Sequence, residues 1–486
     1  MVTSTTDTPT PTDAAGSADR ADRVDDSVVF VLFGATGDLA KRMVITAFYE
    51  LHARGLMPAQ WRLVGNGRGD VSHEDFHAHV KEVLTDFGDG APEGEEWEDF
   101  TSHLRFAGGG FDKSDPGSLL DVLKQAHDDI GDAHYIHYLA IPPTAFVKVT
   151  EGLAEHDLIE GARVVYEKPY GQSLESFREL DELVHSVMKE EQVYRIDHFL
   201  GKEATQNLHV LRYGNQLVGR SWCRDAVSQV QIDVPETLDV ADRAQFYDET
   251  GAFRDMIVTH LFQVAAEVAM EPPLTLAADD LQAAREAVLA AFRPLRREDT
   301  VLGQYAGYTD LPEVPDDSRT DTFAAVRMWV DTGRWHGVPF VLRSGKQLGT
   351  SKQVVSLLLR PQDGPITRSP GHTILQFSLS GSGCIDMQLI VKAPGPDLEL
   401  AVTRTAVDLG AVAEGKALAP YVSLLHDVVV GDRSLFTSSA GLEAAWSHSA
   451  DLLADMPHPV PYEPGSEGPH TARDLTDGVG WLSDAV

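Results

Sequence analysis

The feature that most constrains the fold is an apolar run that leads directly into a glycine turn. Residues 28–33 read Val-Val-Phe-Val-Leu-Phe, and the turn Gly-Ala-Thr-Gly-Asp-Leu-Ala-Lys follows at residues 34–41. An uninterrupted apolar run is typical of a strand buried on both faces of a parallel sheet. A helical pattern continues to about Arg54, Gly55 ends it, and residues 61–65 have the pattern of a second strand. The segment therefore predicts a strand, a glycine turn, a helix and a parallel strand.

The turn has the spacing G-x-x-G-x-x-A, a variant of the dinucleotide-binding fingerprint. Gly34 allows the tight turn, Gly37 lets the backbone approach a pyrophosphate, and Ala40 is small enough for the helix to pack on the strand. On the spacing alone, an ordinary tight turn in an α/β sheet fits about as well. The position of the turn after the first strand favours the binding of a dinucleotide.

Two cations follow later strands of the same predicted sheet. After the second strand, where NAD-specific folds place an acidic residue, the chain carries Arg68 between two glycines. An arginine there suits the 2′-phosphate of NADP, whereas most lone arginines are solvated loop residues. Further strands are predicted at residues 134–141 and 163–166, and Glu167-Lys168-Pro169 follows the second. Lys168 is therefore expected at the carboxyl end of the sheet, where ligands gather.

Composition excludes several functional classes. The 486 residues include 40 basic and 75 acidic side chains, and the formal net charge of −35 repels nucleic acid and anionic membranes at long range. The chain has no run of 18 apolar residues, and its first residues do not show a charged region followed by an apolar run, so we expect neither a membrane nor an exported location. Cys223 and Cys384, the only cysteines, have no metal-ligand spacing and fit a reducing cytoplasm.

The patterns predict a tail and two domains. Residues 1–27 offer little apolar surface to bury, so we expect a disordered tail. Residues 28–198 carry the parallel-strand patterns of a Rossmann-like α/β domain, and residues 199–486 suit a larger α+β domain with a mostly antiparallel sheet. The alternating segments of that sheet are residues 228–234, 324–330, 354–359 and 385–392. Residues 457–469 are rich in proline, glycine and acid, which indicates an irregular surface segment.

The segment from Tyr194 to Glu203 reads YRIDHFLGKE and combines an acid, an imidazole and an ammonium. His198 and Lys202 are four residues apart, so a helix that begins near Phe199 would place them on one face close to its N-terminus. Free backbone N–H groups at such a terminus favour an anion. The sequence therefore predicts a phosphate-binding site at this segment.

A second polar cluster lies between Glu236 and His260. It includes Arg243, Tyr247-Asp248 and Arg254-Asp255, and His260 belongs to an otherwise apolar helical run that ends at Met270. A helix that carries an acid and a histidine can supply a general base. On the residues alone, however, a single histidine on an amphipathic helix is more often structural.

Five motifs with fixed spacing occur in order along the chain. They are the glycine turn, Glu167-Lys-Pro-x-Gly171, Arg195-Ile-Asp-His198 with Leu200-Gly-Lys-Glu203, Gly251-x-x-Arg254-Asp255-x-x-x-x-His260-x-x-Gln263, and Gly337-Val-Pro-Phe-x-Leu-Arg-x-Gly-Lys346. With them the chain resembles the glucose-6-phosphate dehydrogenase family. The likeness runs from about residue 28 to the C-terminus, and the motif around Asp197 is the most specific of the five.

The resemblance implies a Rossmann-like NADP domain joined to an α+β domain, and a homodimer or a dimer of dimers. It implies that the protein oxidises D-glucose 6-phosphate at C1 to 6-phospho-D-glucono-1,5-lactone. The hydride passes to NADP, with NAD as an alternative cofactor, and no metal ion is needed. This reaction is the first step of the oxidative pentose phosphate pathway, in the cytoplasm.

The resemblance also assigns roles to single residues. His260 takes the proton of the C1 hydroxyl, while Asp197 orients its imidazole and stabilises the charge that it gains. The residues expected to bind the substrate are Lys168, His198, Lys202, Glu236, Asp255 and Lys346. The residues expected to bind the cofactor are Gly34, Thr36, Gly37, Asp38, Leu39, Arg68 and Lys168, and among them Arg68 selects NADP.

The chain departs from the family pattern around the expected site. Phe199 replaces a tyrosine, and one lost hydrogen bond to a charged group costs roughly 1.5–3 kcal/mol. The other departures are Cys223, Asp239, Asp242, Thr259 and Ser351, and Lys352 stands beside the last. They leave two alternatives open, a dehydrogenase of another sugar or sugar phosphate and a catalytically silent NADP-binding paralogue. The intact pair of Asp197 and His260 favours glucose-6-phosphate dehydrogenase activity over both.

Overall fold

The computed structural model describes residues 27–484 apart from 70, 89, 241–242, 363, 367–368, 382 and 413–416. Except for Ser27, the tail predicted at residues 1–27 lies outside the described residues, and so does Asp242. Within the described part of the chain, no helix is both long and apolar enough to cross a membrane.

The chain divides into two units. The first contains the described residues up to Ala140, with Glu151–Val164 and Leu425–Arg433. The second contains Ile141–Thr150, Val165–Leu424 and the described residues from Ser434 onward. Helices Phe146–Glu155 and Pro420–Val430 run from the second unit into the first. The domain boundary expected at residue 198 stays a prediction.

The first unit contains the predicted parallel strands, in the order β3-β2-β1-β4. Their bounds are Val28–Phe33 for β1, Trp61–Asn66 for β2, Leu104–Ala107 for β3 and His134–Leu139 for β4. Every residue of β1 is buried, and β2 and β4 pair with it in parallel on either side. The continuous apolar run thus correctly predicted a strand covered on both faces. Strand β5 (Arg163–Tyr166) coincides with the predicted segment.

Helices in the first unit bury one apolar face each. Their bounds are Ile45–Ala53, His73–Phe87, Gly94–Ser102 and Leu119–Ile130. In the second of these, Ser72 Oγ accepts a hydrogen bond from the Asp75 amide at 3.1 Å and so fixes the N-terminus. Phe76, Val80 and Leu84 of that helix are buried at the spacing of an amphipathic helix. The first helix ends at Ala53, and Gly55 has φ +65°, in agreement with the predicted stop.

The second unit is built on a nine-stranded sheet in the order β14-β13-β12-β11-β7-β10-β9-β8-β16. The bounds are β7 Val227–Pro235, β8 Thr300–Tyr305, β9 Phe323–Trp329, β10 Pro339–Gly345, β11 Val354–Leu359, β12 Ile374–Ser378, β13 Cys384–Lys392, β14 Leu400–Asp408 and β16 Val460–Tyr462. Among the pairings of this sheet's described strands, only β7–β10 and β8–β16 are parallel. The mostly antiparallel sheet that the alternating segments predicted is confirmed.

Short strands and helices complete the second unit. Strand β6 (Val193–Ile196) pairs antiparallel with β15 (Phe436–Thr437). The helices are Leu174–Val187, Glu203–Gly214, Gln216–Arg220, Ala244–Ala252, Phe253–Leu261, Phe262–Ala269, Ala278–Ala290 and Ser439–Ala454. The prediction that residues 457–469 are irregular is wrong for β16, because Tyr462 is buried and its neighbours pair with β8.

Candidate functional site

The glycine turn joins β1 to the first helical segment of the first unit. Gly34 has φ +78°, and its amide and that of Ala35 donate to the Asn66 carbonyl at 2.9 and 3.1 Å. The Gly37 amide donates to Gly34 O at 2.8 Å, and a Cβ on Gly37 would lie 3.1 Å from the same oxygen. The turn therefore has room for backbone but little for a side chain, as the glycine spacing predicts.

The segment after the turn begins with a π-helical stretch. This stretch covers Ala40–Val44, Leu39 is its N-cap, and Ala40 is fully buried. Asp38 is exposed, and its carboxylate accepts a hydrogen bond from Arg42 Nε at 2.7 Å. Backbone N–H groups at the start of such a segment point towards the turn and favour an anion there.

Arg68 lies in the loop that follows β2 and is exposed. A Cβ on the preceding Gly67 would lie 3.6 Å from Thr36 Oγ1, so this loop is a neighbour of the glycine turn. The structure thus brings the predicted residues to one edge of the sheet, at the carboxyl ends of β1 and β2. The open backbone at Gly37 fits a pyrophosphate, and the exposed guanidinium fits a further phosphate.

Asp197 follows directly on β6 in the second unit. Its Oδ1 accepts a hydrogen bond from the Phe199 amide at 2.9 Å, and its carbonyl accepts one from the Leu200 amide at 3.1 Å. These bonds close a turn, and the helix begins only at Glu203. The predicted helix start near Phe199 is therefore wrong, and His198 and Lys202 do not share a helical face. The physical reason lies in the backbone at Lys202, which is extended (φ −70°, ψ 129°) and separates the turn from the helix.

His260 lies in the π-helical segment Phe253–Leu261 and contacts Asp197. Its Nδ1 donates to Asp197 Oδ1 at 2.7 Å, and the two side chains are only 1% and 3% exposed. The rings of His198 and Phe199 pack against the imidazole with centroids at 4.6 and 4.9 Å. His260 Nε2 and Asp197 Oδ2 are buried and make no hydrogen bond within the described residues. One nitrogen of the imidazole is thus held by the acid while the other can accept a proton.

Burial sets the protonation states of this pair. Burial raises the pKa of Asp197 to about 6, although His198 and the Phe199 amide oppose the shift. Burial also lowers the pKa of His260 well below its usual value, and the ammonium of Lys168 lowers it further. Near neutral pH the pair is therefore a carboxylate and a neutral imidazole. Because Nδ1 carries the proton donated to Asp197, the lone pair is on Nε2.

Two lysines near the histidine are paired with carboxylates. Lys168 Nζ lies 2.9 Å from Asp255 Oδ1, and Lys346 Nζ is in contact with Glu236 Oε2. Burial alone would raise the pKa of Asp255, but the charge and hydrogen bond of Lys168, together with His260 and Arg243, outweigh it, and the pKa falls below its usual value. Burial and the charge of Lys168 lower the pKa of Lys346 to about 8. Each pair offers both a donor and an acceptor, which is what a sugar hydroxyl requires.

Lys202 has a different environment. Its ammonium lies 3.7 Å from the centroid of the Phe199 ring, and it donates to Gln353 Oε1 at 2.8 Å. Among the described residues, no carboxylate forms an ion pair with Lys202. Burial lowers its pKa to about 8, although Asp197 opposes the shift. Lys202 therefore carries a positive charge at neutral pH that no partner carboxylate neutralises.

The start of the His260 segment is held by Asp321, which sequence reasoning did not single out. The Asp321 carboxylate accepts a hydrogen bond from the Phe253 amide at 2.6 Å, and its carbonyl accepts one from the Ala252 amide at 2.8 Å. Gly251 precedes them with φ +74°, and a Cβ there would lie 2.5 Å from Asp321 Oδ1. Only the motif glycine signals this contact in the sequence, since Asp321 is 70 residues further along the chain.

Thr322, the residue after Asp321, fixes the backbone of Lys346. The Lys346 amide donates to the Thr322 carbonyl at 2.8 Å, and the Tyr462 hydroxyl donates to the Lys346 carbonyl at 2.7 Å. Asp321 and Thr322 lie directly before β9, whose first residue pairs with Gly345 of β10. One short segment therefore fixes both the start of the helical segment that carries His260 and the backbone of Lys346, which explains how residues so far apart in sequence meet.

The same cluster contains three groups that can reach one metal ion. The ligand atoms of Asp197, His198 and His260 lie within 4.8 Å of one another. However, burial lowers the pKa of His198 well below its usual value, and the charges of Lys168 and Lys202 lower it further. The positive potential of these two lysines also opposes the binding of a cation. The arrangement suits an anionic ligand better than a metal ion.

Several departures from the family pattern can be placed in the structure. Thr259 donates through its hydroxyl to the Asp255 carbonyl, so this side chain serves its own helix. Ser351 is exposed, and the ammonium of Lys352 donates to Gln376 Oε1 at 3.4 Å. Cys223 lies half-buried with its thiol 3.8 Å from the Arg220 carbonyl.

Comparison with known proteins identifies the family. Residues 209–481 match the family model described as glucose-6-phosphate dehydrogenase, C-terminal domain. The chain belongs to the glucose-6-phosphate dehydrogenase family. Residues 31–207 match the model of the NAD binding domain of that family, so the chain is an oxidoreductase that uses a nicotinamide dinucleotide.

Individual relatives cover almost the whole chain. Glucose-6-phosphate 1-dehydrogenase 2 of Mycobacterium bovis is 36% identical over 92% of the chain and 92% of that protein. The cytoplasmic glucose-6-phosphate 1-dehydrogenase 6 of Arabidopsis thaliana is 33% identical over 93% of the chain and 91% of that protein. A solved glucose-6-phosphate dehydrogenase in complex with its substrate glucose 6-phosphate matches with a TM-score of 0.87 and 29% identity, over 94% of the chain and 98% of that structure.

Proposed function

We propose that the protein oxidises D-glucose 6-phosphate at C1 to 6-phospho-D-glucono-1,5-lactone and passes the hydride to NADP. This reaction is the first step of the oxidative pentose phosphate pathway. The family membership supports it, as does the bound glucose 6-phosphate of the solved relative. The observation that carries the proposal is the buried pair of His260 and Asp197, 2.7 Å apart, with His260 Nε2 free of any partner among the described residues.

His260 acts as the general base of this reaction. Its neutral imidazole takes the proton of the C1 hydroxyl on Nε2 and becomes an imidazolium. Asp197 holds the ring by its Nδ1 proton and stabilises the positive charge that develops, because its carboxylate is ionised near neutral pH. A nicotinamide dinucleotide, when bound, would supply the acceptor for the hydride from C1. Both residues are buried, so water does not compete for the proton.

The charged residues around this pair bind the substrate. Lys168 with Asp255 and Lys346 with Glu236 bind sugar hydroxyls through their donors and acceptors. His198 and Lys202 bind the phosphate, because they flank the Phe199 ring and Lys202 has no carboxylate partner among the described residues. The ammonium of Lys202 reverses locally the field of a chain whose net charge is −35.

The cofactor is NADP, with NAD as an alternative. The turn formed by Gly34, Thr36, Gly37, Asp38 and Leu39 binds the pyrophosphate through its backbone amides. Arg68 is exposed beside Thr36 and binds the 2′-phosphate that distinguishes NADP from NAD. The resemblance further leads us to propose a cytoplasmic homodimer or dimer of dimers.

The test is a spectrophotometric assay of reduced cofactor with purified protein, NADP and glucose 6-phosphate. NAD in place of NADP, and unphosphorylated glucose in place of the substrate, are run in parallel. We expect rapid formation of NADPH that requires the phosphate group. Absence of turnover at millimolar glucose 6-phosphate, with turnover of another sugar phosphate or of none, would reject the proposed function.

A further inference from the structure

We propose that Gln353 is a substrate-binding residue that completes the anion site formed by His198 and Lys202. Its Oε1 fixes the ammonium of Lys202, and its Nε2 donates to the phosphate of the substrate. The inference rests on the proposed function, because it names a further contact to the same phosphorylated sugar. Neither the motifs nor the family resemblance points to residue 353.

The first observation is the contact with Lys202. Lys202 Nζ donates to Gln353 Oε1 at 2.8 Å, across 151 positions of sequence. An ammonium has only donors, so the amide oxygen must face it and the amide nitrogen must point elsewhere. The Nε2 group makes no hydrogen bond within the described residues, and it therefore retains two donors next to an ammonium.

The second observation is that the backbone of Gln353 is fixed. The residue directly precedes β11, and its carbonyl accepts a hydrogen bond from the Leu379 amide at 2.9 Å. β11 is an interior strand, paired with β7 on one side and β12 on the other. A half-buried side chain on such a scaffold loses little further freedom when an anion binds.

The third observation concerns the chemistry of the neighbouring groups. Phe199 separates His198 from Lys202, with its ring centroid 4.9 Å from the His198 ring and 3.7 Å from the Lys202 ammonium. Phenylalanine has no hydroxyl, so this face of the site supplies no donor of its own. The amide of Gln353 is the group that provides neutral hydrogen-bond donors beside the ammonium. A phosphate that accepts from Lys202 can therefore accept from Gln353 as well.

The experiment compares Gln353→Leu and Gln353→Glu with the wild-type protein. The leucine variant removes the donors without adding charge, and the glutamate variant also places a carboxylate against Lys202. Gln362→Leu and Gln362→Glu are matched controls, since Gln362 is exposed beyond the other end of β11. Three quantities are measured: KM for glucose 6-phosphate, the competitive inhibition constant of inorganic phosphate, and KM for NADP.

We expect Gln353→Leu to raise KM for glucose 6-phosphate and the inhibition constant of phosphate in parallel, on the order of tenfold. Gln353→Glu should raise both further and move the alkaline fall of kcat/KM to higher pH, because a carboxylate raises the pKa of Lys202. KM for NADP should stay within about twofold in all four variants, since the altered contact does not involve the cofactor.

The inference is overturned if both constants stay near wild type in both Gln353 variants, or if KM for NADP rises by the same factor. Failure of the proposed function looks different, since the wild-type protein would then show no turnover of glucose 6-phosphate. In that case titration calorimetry with inorganic phosphate still decides the role of Gln353. Equal phosphate affinity in wild type and Gln353→Leu would reject it, and weaker binding in the variant would support it.

Discussion

The glycine turn of the first unit and the acid–base cluster of the second illustrate two ways in which a chain builds a site. The turn is local, because the residues from Gly34 to Ala40 are contiguous and Arg68 follows the next strand. The cluster is assembled over long distances, since Asp197 and His260 are 63 residues apart and Glu236 and Lys346 are 110 apart. A local site depends on backbone shape, whereas an assembled site depends on the supports that bring distant segments together.

The largest effect is expected from His260→Ala, which removes the imidazole of the assembled site. Loss of the general base should reduce kcat by roughly a hundred- to ten-thousand-fold, while the affinity for NADP, measured by fluorescence titration, stays nearly unchanged. His336→Ala is the matched control, because His336 is exposed outside the cluster. Retained turnover in the His260 variant would remove this residue from the role of base.

A substitution at Gly251 tests the supports of the assembled site. Gly251→Ala places a Cβ 2.5 Å from Asp321 Oδ1 at φ +74° and should lower the free energy of unfolding by about 1–3 kcal/mol. We expect kcat to fall with it, because Asp321 holds the segment that carries His260. Gly333→Ala is the control, since no atom lies within 4 Å of its Cβ position and its φ is not positive. Chemical denaturation and steady-state kinetics measure the two effects, and equal stability of the two variants would contradict the packing argument.

Arg68→Ala tests the local site. Removal of a guanidinium that binds the 2′-phosphate should reduce the preference for NADP over NAD by about tenfold, with little change in kcat. The ratio of kcat/KM for the two cofactors is the measurement. Lys124→Ala removes one exposed charge from a helix of the same unit and serves as the control. An unchanged ratio would show that Arg68 is a solvated loop residue.

The smallest effect is expected from pH. Burial raises the pKa of Asp197 to about 6, so protonation below that pH removes the charge that supports His260 and lowers kcat/KM. Burial lowers the pKa of Lys202 to about 8, so deprotonation above that pH removes a charge that binds phosphate. At a pH equal to each pKa, kcat/KM should be about half of its maximal value. With unphosphorylated glucose as substrate, the acid limb should persist and the alkaline limb should become smaller, because only Lys346, whose pKa is also lowered to about 8, still contributes to it. An alkaline limb of equal size for both substrates would speak against Lys202.

Sequence patterns predicted the elements of both units better than the contacts between them. The apolar run of β1, the glycine turn and β11 lie where the patterns place them, because burial and turn chemistry act over a few neighbouring residues. The helix predicted near Phe199 was wrong, since the extended backbone at Lys202 delays the start of the helix until Glu203. Asp321 and Gln353 were missed altogether, because their partners lie 68 and 151 residues away along the chain and no local pattern marks them.

The sequence by itself determined the parallel-strand unit and the turn with its two glycines through local periodicity. Motif resemblance singled out Asp197, His260 and the lysines as the candidate site residues. Only the tertiary structure decided that Asp197 meets His260 rather than solvent, that Lys168 and Lys346 are neutralised by carboxylates, and that Lys202 is not paired with one within the described residues. The physical reason is burial. Desolvation and the position of a partner charge set which groups are ionised, and both are properties of the packed chain.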